Sequence, residues 1–198
     1  VIPNPCVWRP ERVASLDRPT AVAVGRLVPV KGFGLLVRAW EKVAAVHPDW
    51  KLEIWGDGPE RGSLERLVRG KGLEKNVLLR GATGEVQEKL LQSSMLVFPS
   101  LFEGFGMVLV EAMACGVPCV AFECPCGPRD VISPEEDGLL VPPGDTDALA
   151  RAIIRLMEQP ELRSRMGEAA RNKAARYAMD AVCAAWMDLF RQLNSSSS

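Results

Sequence analysis

The sequence predicts an α/β domain with a Rossmann-like, doubly wound parallel sheet. Three observations support this fold class. Short apolar runs alternate with stretches of helical periodicity along most of the 198 residues, which is the pattern of successive βαβ units. The strand candidates are continuously apolar, as expected for strands that are covered on both faces. The composition, 47% hydrophobic and 25% charged, is that of an ordinary globular protein.

The first half of the chain supplies three strand–helix pairs. The apolar run TAVAV at 20–24 forms the first strand, and the helical spacing of GLLVRAWEKVAAV at 34–46 ends at His47-Pro48, since the residue before a proline disfavours helix. The next two pairs are defined in the same way, by an apolar run that stops at glycine and then a helical pattern. Their strands are at residues 51–55 and 76–79, and their helices at 60–68 and 85–92.

The second half adds three strands and the closing helices. MLVFP at 95–99 is the fourth strand, and a helix that opens on glycines follows it at 105–115. The other elements are strands at 118–122 and 138–141, and helices at 147–158, 161–177 and 181–193. One domain is therefore predicted over residues 1–194, with a disordered tail at 195–198.

Ligands of doubly wound sheets bind at the carboxyl ends of the strands. Turns rich in glycine, proline or charge occur at five such ends and are expected to face one crevice. They are residues 25–32, 56–62, 81–84, 100–106 and 124–130. The last of these, within FECPCGP and the residues after it, either borders the ligand pocket or is a proline-stiffened loop with incidental thiols, and we prefer the second interpretation.

The first two turns indicate a phosphate ligand rather than a dinucleotide. Arg26 and Lys31 present a planar fork and a mobile point charge, which suits a diphosphate; the alternative is a pair of solvated surface cations. Gly56 opens the spacing GxGxxxG, which differs from the dinucleotide fingerprint GxGxxG. It is interpreted as a tight turn close to the ligand.

Two carboxylates, Glu103 and Glu111, flank the predicted start of the fourth helix. Eight residues of helix rise roughly 12 Å, more than the separation in a glycosidase acid/nucleophile pair, so the two acids are expected to contact different atoms. A helix start with glycines suits a phosphate. Glu111, two turns deeper, needs a hydrogen-bonding partner: either the vicinal diol of a ribose, or an Arg or backbone group in a structural role.

Several other classes of function are disfavoured. The net charge is -1 without a long basic run, so nucleic-acid binding is not expected. No apolar run is long enough to span a membrane. His47 is the only histidine, which weakens hydrolase mechanisms based on histidine. The six cysteines are expected to be reduced thiols of a cytoplasmic protein, and their spacing does not match that of zinc sites.

A set of motifs resembles a known family. VIPNP, VGRLVPVKG, IWGDGPE, FPSLFEGFGMVLVEAMACGVPCVA and GLLVPPGD resemble the C-terminal, nucleotide-sugar-binding half of retaining glycosyltransferases of family 4, which have the GT-B fold. The match runs from about residue 1 to 145. It implies transfer of a sugar from a nucleotide-diphosphate sugar, with UDP favoured, to an acceptor hydroxyl in glycan or polysaccharide synthesis.

The resemblance also implies a role for each matching residue. Arg26 and Lys31 hold the diphosphate and act with Glu103, beside the sugar, in catalysis; Glu111 binds the ribose. Residues near the base and the phosphates complete the predicted site: Gly56, Gly81, Ala82 and Thr83, and Gly104, Phe105, Gly106 and Met107. Neither a metal nor a cofactor is implied, and the configuration of the sugar is expected to be retained.

In the family, an N-terminal half binds the acceptor, and this half is expected to be missing here because the chain opens on what resembles the interdomain linker. The chain alone is therefore expected to bind the donor and to transfer little. Membrane association would then reside in the absent half. Two alternatives remain: a nucleotide-binding module without catalysis, and a GT-B-fold sugar-nucleotide epimerase, which the scarcity of histidine disfavours.

Overall fold

Six strands form a single sheet in the structure, a computed structural model that describes residues 2–195. They are β1 (Thr20–Val24), β2 (Lys51–Trp55), β3 (Val77–Gly81), β4 (Met95–Phe98), β5 (Cys119–Phe122) and β6 (Gly138–Val141). All neighbouring strands are parallel, in the order β3-β2-β1-β4-β5-β6. This is the doubly wound order, so the predicted fold class is confirmed.

The helices lie close to their predicted positions. They are α1 (Phe33–Val46), α2 (Arg61–Gly70), α3 (Val86–Leu91), α4 (Met107–Ala114), α5 (Pro128–Val131), α6 (Thr146–Glu158), α7 (Pro160–Ala174) and α8 (Met179–Ser195). The sequence did not predict α5, because four residues are too few to show a helical period. Ser195 of the predicted tail ends α8, and residues 196–198 lie outside the described part of the chain. None of the helices within residues 2–195 is long and apolar enough to cross a bilayer.

The sheet separates two apolar cores. Along β1, Ala21 and Ala23 face the core that contains α1, α2 and α6, whereas Val22 faces the core that contains α3, α4 and α7. The strands are covered on both faces, which explains why their sequences are continuously apolar instead of alternating. The sequential helices change face between β3 and β4, so β1 and β4 are neighbouring strands whose following helices, α1 and α4, lie on opposite faces of the sheet.

A buried ion pair joins α7 to the turn that precedes β6. The Nζ atom of Lys173 lies 2.8 Å from Oδ2 of Asp137 and donates to Oγ of Ser133 at 2.8 Å. The backbone N–H of Ser133 donates to Oδ1 of Asp137 at 2.8 Å. Because Asp137 is only 2% exposed, its charge depends on these partners for compensation.

We predict that Lys173→Met lowers the free energy of unfolding by about 3 kcal/mol, because it leaves a buried carboxylate without its cation. Urea unfolding at neutral pH measures this change. The matched control, Lys173→Met with Asp137→Asn, should recover most of the loss, since Asn keeps the hydrogen bond from Ser133 and carries no charge. If the double variant is as unstable as the single one, the pair is not what stabilises this junction.

Candidate functional site

The loops that follow β1 and β4 are in backbone contact. Gly32 has a left-handed backbone with φ of 67°, and a Cβ atom placed there would lie 2.1 Å from the carbonyl oxygen of Pro99. The N–H of Leu101 donates to the carbonyl of Val30 at 2.9 Å. Any residue other than glycine at position 32 would separate these loops. The contact therefore fixes the two loops against each other at the crevice where doubly wound sheets bind ligands.

This contact brings together two of the predicted catalytic residues, Lys31 and Glu103. The Nζ atom of Lys31 lies 2.5 Å from Oε1 of Glu103 and 5.7 Å from the centre of the Phe98 ring. Glu103 is only 8% exposed, and Lys31 is half-buried. An ammonium group has three donors, so Lys31 can keep its bond to Glu103 and still donate to an anion in the crevice.

A depression of about 150 Å³ lies at the ends of β1, β2 and β3. Its lining is formed by Val24, Gly25, Arg26, Trp55, Gly56, Asp57, Ala82, Thr83 and Val86. Arg26 is exposed and forms no ion pair with any residue in the described part of the chain, so its guanidinium is available to a ligand.

The N–H of Gly56 donates to the carbonyl of Gly81 at 2.8 Å, so this amide is used by the sheet edge. Thr83 accepts a hydrogen bond from the N–H of Glu85 at 3.0 Å, which shapes the turn.

Sequence reasoning missed Trp55, the largest side chain of the depression. Its indole Nε1–H donates to Glu53 at 3.2 Å, and the Nζ atom of Lys89 lies 5.0 Å from the ring centre. Both contacts hold the ring in place. A large aromatic residue at the last position of a strand, before a turn expected to contact ligand, was the available signal.

The fourth helix begins two residues later than predicted. Met107 is its first residue, and Gly106 is its N-cap with a left-handed φ of 81°. Phe105 is turned away from the crevice, since its ring packs edge-on against Tyr177 with centroids 6.0 Å apart; Gly104 is exposed. Glu103 is thus outside the helix, and the 12 Å helical separation expected from Glu111 does not apply. No side chain of residues 2–195 caps α4. The N–H of Leu109 donates to the carbonyl of Gly106 at 2.9 Å, and the amides of Met107 and Val108 before it remain available to an anion.

Glu111 is a half-buried carboxylate on the second turn of α4. It forms no hydrogen bond or ion pair with the residues that the structure describes, 2–195. Burial raises the pKa of its carboxyl, and its negative charge adds to the burial that raises the pKa of the Cys115 thiol to about 12. A half-buried acid without a protein partner is suited to a ligand that supplies hydroxyl donors. The structure does not place Glu111 in the lining of the depression.

No metal-ligand set is formed among residues 2–195 by the three cysteines that lie close together in the sequence, Cys119, Cys124 and Cys126. Cys119 and Cys124 are buried and Cys126 is exposed, all as free thiols. Across residues 2–195 there is no group of three or more His, Cys, Asp or Glu side chains arranged to hold a metal ion.

Comparisons with known proteins agree with the fold and the motifs. The family model described as Glycosyl transferases group 1 matches residues 7–173. An exopolysaccharide phosphotransferase of Streptomyces coelicolor is 41% identical over 98% of this chain and 21% of its own length. A poly(ribitol-phosphate) alpha-N-acetylglucosaminyltransferase of Staphylococcus aureus is 31% identical over 84% of this chain and 34% of its own length.

Solved structures give the same result. A TarM mutant of S. aureus, in complex with Fondaparinux, alpha-GlcNAc-glycerol and UDP, matches with a TM-score of 0.85 and 28% identity, covering 92% of this chain and 37% of that chain. The present chain thus spans between 21% and 37% of the length of these three proteins. Their names and ligands refer to much longer molecules.

The unpartnered acid gives a prediction on stability. Because burial raises the folded-state pKa of Glu111 above its ordinary value of 4.5, the cost of burying its charge is absent below pH 4.5 and fully present above the raised pKa. Glu111→Gln should therefore increase the free energy of unfolding at neutral pH and leave it nearly unchanged below pH 4.5.

Urea unfolding at the two pH values measures this difference. The control is Glu168→Gln, an exposed acid on α7, which should show little effect at either pH. A destabilising effect of Glu111→Gln at neutral pH would mean that the carboxylate has a structural partner.

Proposed function

Because the chain belongs to the family of group 1 glycosyl transferases, we propose that it binds the nucleotide-sugar donor of a retaining glycosyltransferase that builds a polysaccharide or related glycan. The observation that carries this proposal is the Lys31–Glu103 pair, 2.5 Å apart, at the crevice beside the uncapped start of α4. A donor has a diphosphate joined to a sugar, and this arrangement offers a cation and free amides next to a carboxylate.

We assign the diphosphate to Arg26, Lys31 and the first amides of α4. Arg26 has no protein partner in the described chain and supplies a bidentate fork. Lys31 supplies a point charge, and the helix N-terminus adds a positive partial charge. Together they stabilise the charge that develops on the leaving diphosphate, so the proposed mechanism uses no metal ion.

The nucleoside is assigned to the remaining groups. Glu111 accepts hydrogen bonds from the ribose hydroxyls, which supply the donors that the protein does not. The base occupies the depression between Trp55 and the turn of Ala82 and Thr83. UDP is the nucleotide we propose, since the similar TarM structure holds UDP and the motif resemblance favours it.

The proposed reaction exchanges one glycosidic bond for another. The bond between the anomeric carbon of the sugar and the diphosphate oxygen breaks, and the acceptor oxygen forms a bond to the same carbon on the same face. The acceptor proton passes to the departing diphosphate, so configuration is retained. Glu103 lies beside the sugar. Its ion pair with Lys31 orients the carboxylate, and α4 takes no part in this.

We propose that the acceptor is bound by a part of the protein outside residues 1–198. The chain spans 21% and 34% of the two curated relatives described above, which leaves room for such a part. The isolated chain is then expected to bind the donor and to transfer almost none of it. Transfer to an added acceptor at ordinary enzymatic rates by this chain alone would contradict the proposal.

Nucleotide binding is the direct test. We predict that Arg26→Ala and Glu111→Ala each weaken UDP binding about tenfold or more, the effect of losing one hydrogen bond to a charged group. Isothermal titration calorimetry measures the affinities, and Arg151→Ala is the matched control because Arg151 is an exposed arginine on α6. Lys31→Ala should act in the same direction.

Three further results separate the alternatives. NAD binding that is unaffected by Arg26→Ala and Glu111→Ala would contradict the proposed site. Interconversion of a UDP-sugar without an acceptor, followed by NMR, would favour an epimerase. UDP binding by a full-length protein that transfers no sugar to any acceptor would favour a non-catalytic module.

A further inference from the structure

The loop of residues 123–130, at the carboxyl end of β5, packs against the loop that contains Glu103. Gly127 has a left-handed backbone with φ of 95°, and a Cβ atom placed there would lie 2.6 Å from the carbonyl oxygen of Phe105 and 3.3 Å from Cβ of Glu103. The two backbones meet in the space that a side chain at position 127 would need. Gly127 therefore determines how closely the two loops approach.

The conformation of this loop is fixed by hydrogen bonds and prolines within it. Asp130 accepts a hydrogen bond from the N–H of Gly127 at 3.3 Å and donates its own N–H to the carbonyl of Gly127 at 2.9 Å. Pro125 restricts the backbone dihedrals before this turn, and Pro128 is buried at the start of α5. A loop held in this way acts as a rigid support and not as an adaptable cover.

Cys124, in the same loop, is fully buried. The pKa of its thiol is raised mainly by burial and further by the charge of Glu103, whereas the charge of Lys31 lowers this pKa. Cys124 thus lies within electrostatic range of both members of the ion pair. Glu103 is held by the β1 loop through Lys31 and approached by the β5 loop at Gly127.

We propose that residues 124–127 set the position of the Glu103 carboxylate. Through Glu103 they determine how much more tightly the site binds a UDP-sugar than UDP alone. This inference rests on the proposed function. In that assignment Arg26, Glu111 and the depression bind the nucleotide, and none of them belongs to the β5 loop. Gly127 is a positioning residue, since it acts on the sugar through Glu103 and does not touch the donor.

The test compares the affinities for UDP and for UDP-sugars in the same chain. Calorimetry with UDP, UDP-glucose, UDP-galactose and UDP-N-acetylglucosamine gives the affinity of each ligand. The measured quantity is the affinity for the most tightly bound UDP-sugar divided by the affinity for UDP. Gly127→Ala should lower this ratio by about tenfold, the loss of one hydrogen bond to a charged group, with a smaller change in the affinity for UDP.

A glycine control separates this effect from backbone strain. Gly144 also has a positive φ, 82°, but a Cβ atom there would have no neighbour within 4 Å, so Gly144→Ala introduces a side chain at a positive φ without displacing a loop. It should leave the ratio unchanged. If Gly127→Ala does not fold, Asp130→Ala provides the second variant: it adds no atoms, removes the hydrogen bond to Gly127, and should lower the ratio in the same direction.

The outcomes distinguish the two levels of proposal. Absence of UDP binding by the wild-type chain would overturn the proposed function. Wild-type binding of UDP with no gain from any of the three sugars would overturn only the present inference. An equal loss of UDP and UDP-sugar affinity in Gly127→Ala would also overturn it, because that result indicates a general structural role for the loop.

Discussion

The candidate site depends on how closely the backbone loops at the carboxyl edge of the sheet approach one another. Neighbouring parallel strands lie only about 4.8 Å apart, so the loops that leave their ends have little room for side chains. A Cβ atom at Gly56 would lie 1.8 Å from the carbonyl oxygen of Gly25, and one at Gly32 would lie 2.1 Å from that of Pro99. Glycines at these contacts make the edge a continuous backbone surface. Lys31 and Glu103 are thereby brought within 2.5 Å of each other, although they come from loops that are far apart in sequence.

On this surface the charged groups are unequally paired. Lys31 and Glu103 compensate each other, whereas Arg26 and Glu111 have no ion-pair partner in residues 2–195. Elsewhere the fold satisfies a buried acid fully, as the contacts of Asp137 with Lys173 and Ser133 demonstrate. The protein thus tolerates unpaired charge at the carboxyl edge of the sheet and not at the junction of α7 with β6. Such a local cost to stability is common where function requires groups to be available to a ligand.

The sequence was sufficient for the parallel sheet, its strands and the longer helices, but not for the four-residue α5, because continuous apolar runs and helical periods are local signals. It was insufficient where a single backbone conformation decides the outcome. Gly104 and Gly106 both resemble a helix start, and only the left-handed φ of Gly106 places the first turn at Met107. The depression beside Trp55 and the contact of Gly127 with Phe105 are tertiary features, formed by loops that are adjacent only because of the strand order. The assigned roles of the site residues remain predictions.

The position of Glu103 outside the helix determines how the two acids relate to each other. If both lay on α4, any shift of that helix would displace them together. Instead, Glu111 follows α4, whereas Glu103 is held by Lys31 from the β1 loop and by Gly127 from the β5 loop. In the proposed assignment, the nucleotide end and the sugar end of the donor are therefore supported by different elements of the fold. Substitutions in the β5 loop can then alter which sugar is accepted while Arg26, Glu111 and the start of α4 keep the same nucleotide, which is a physical basis for many donor sugars on one fold.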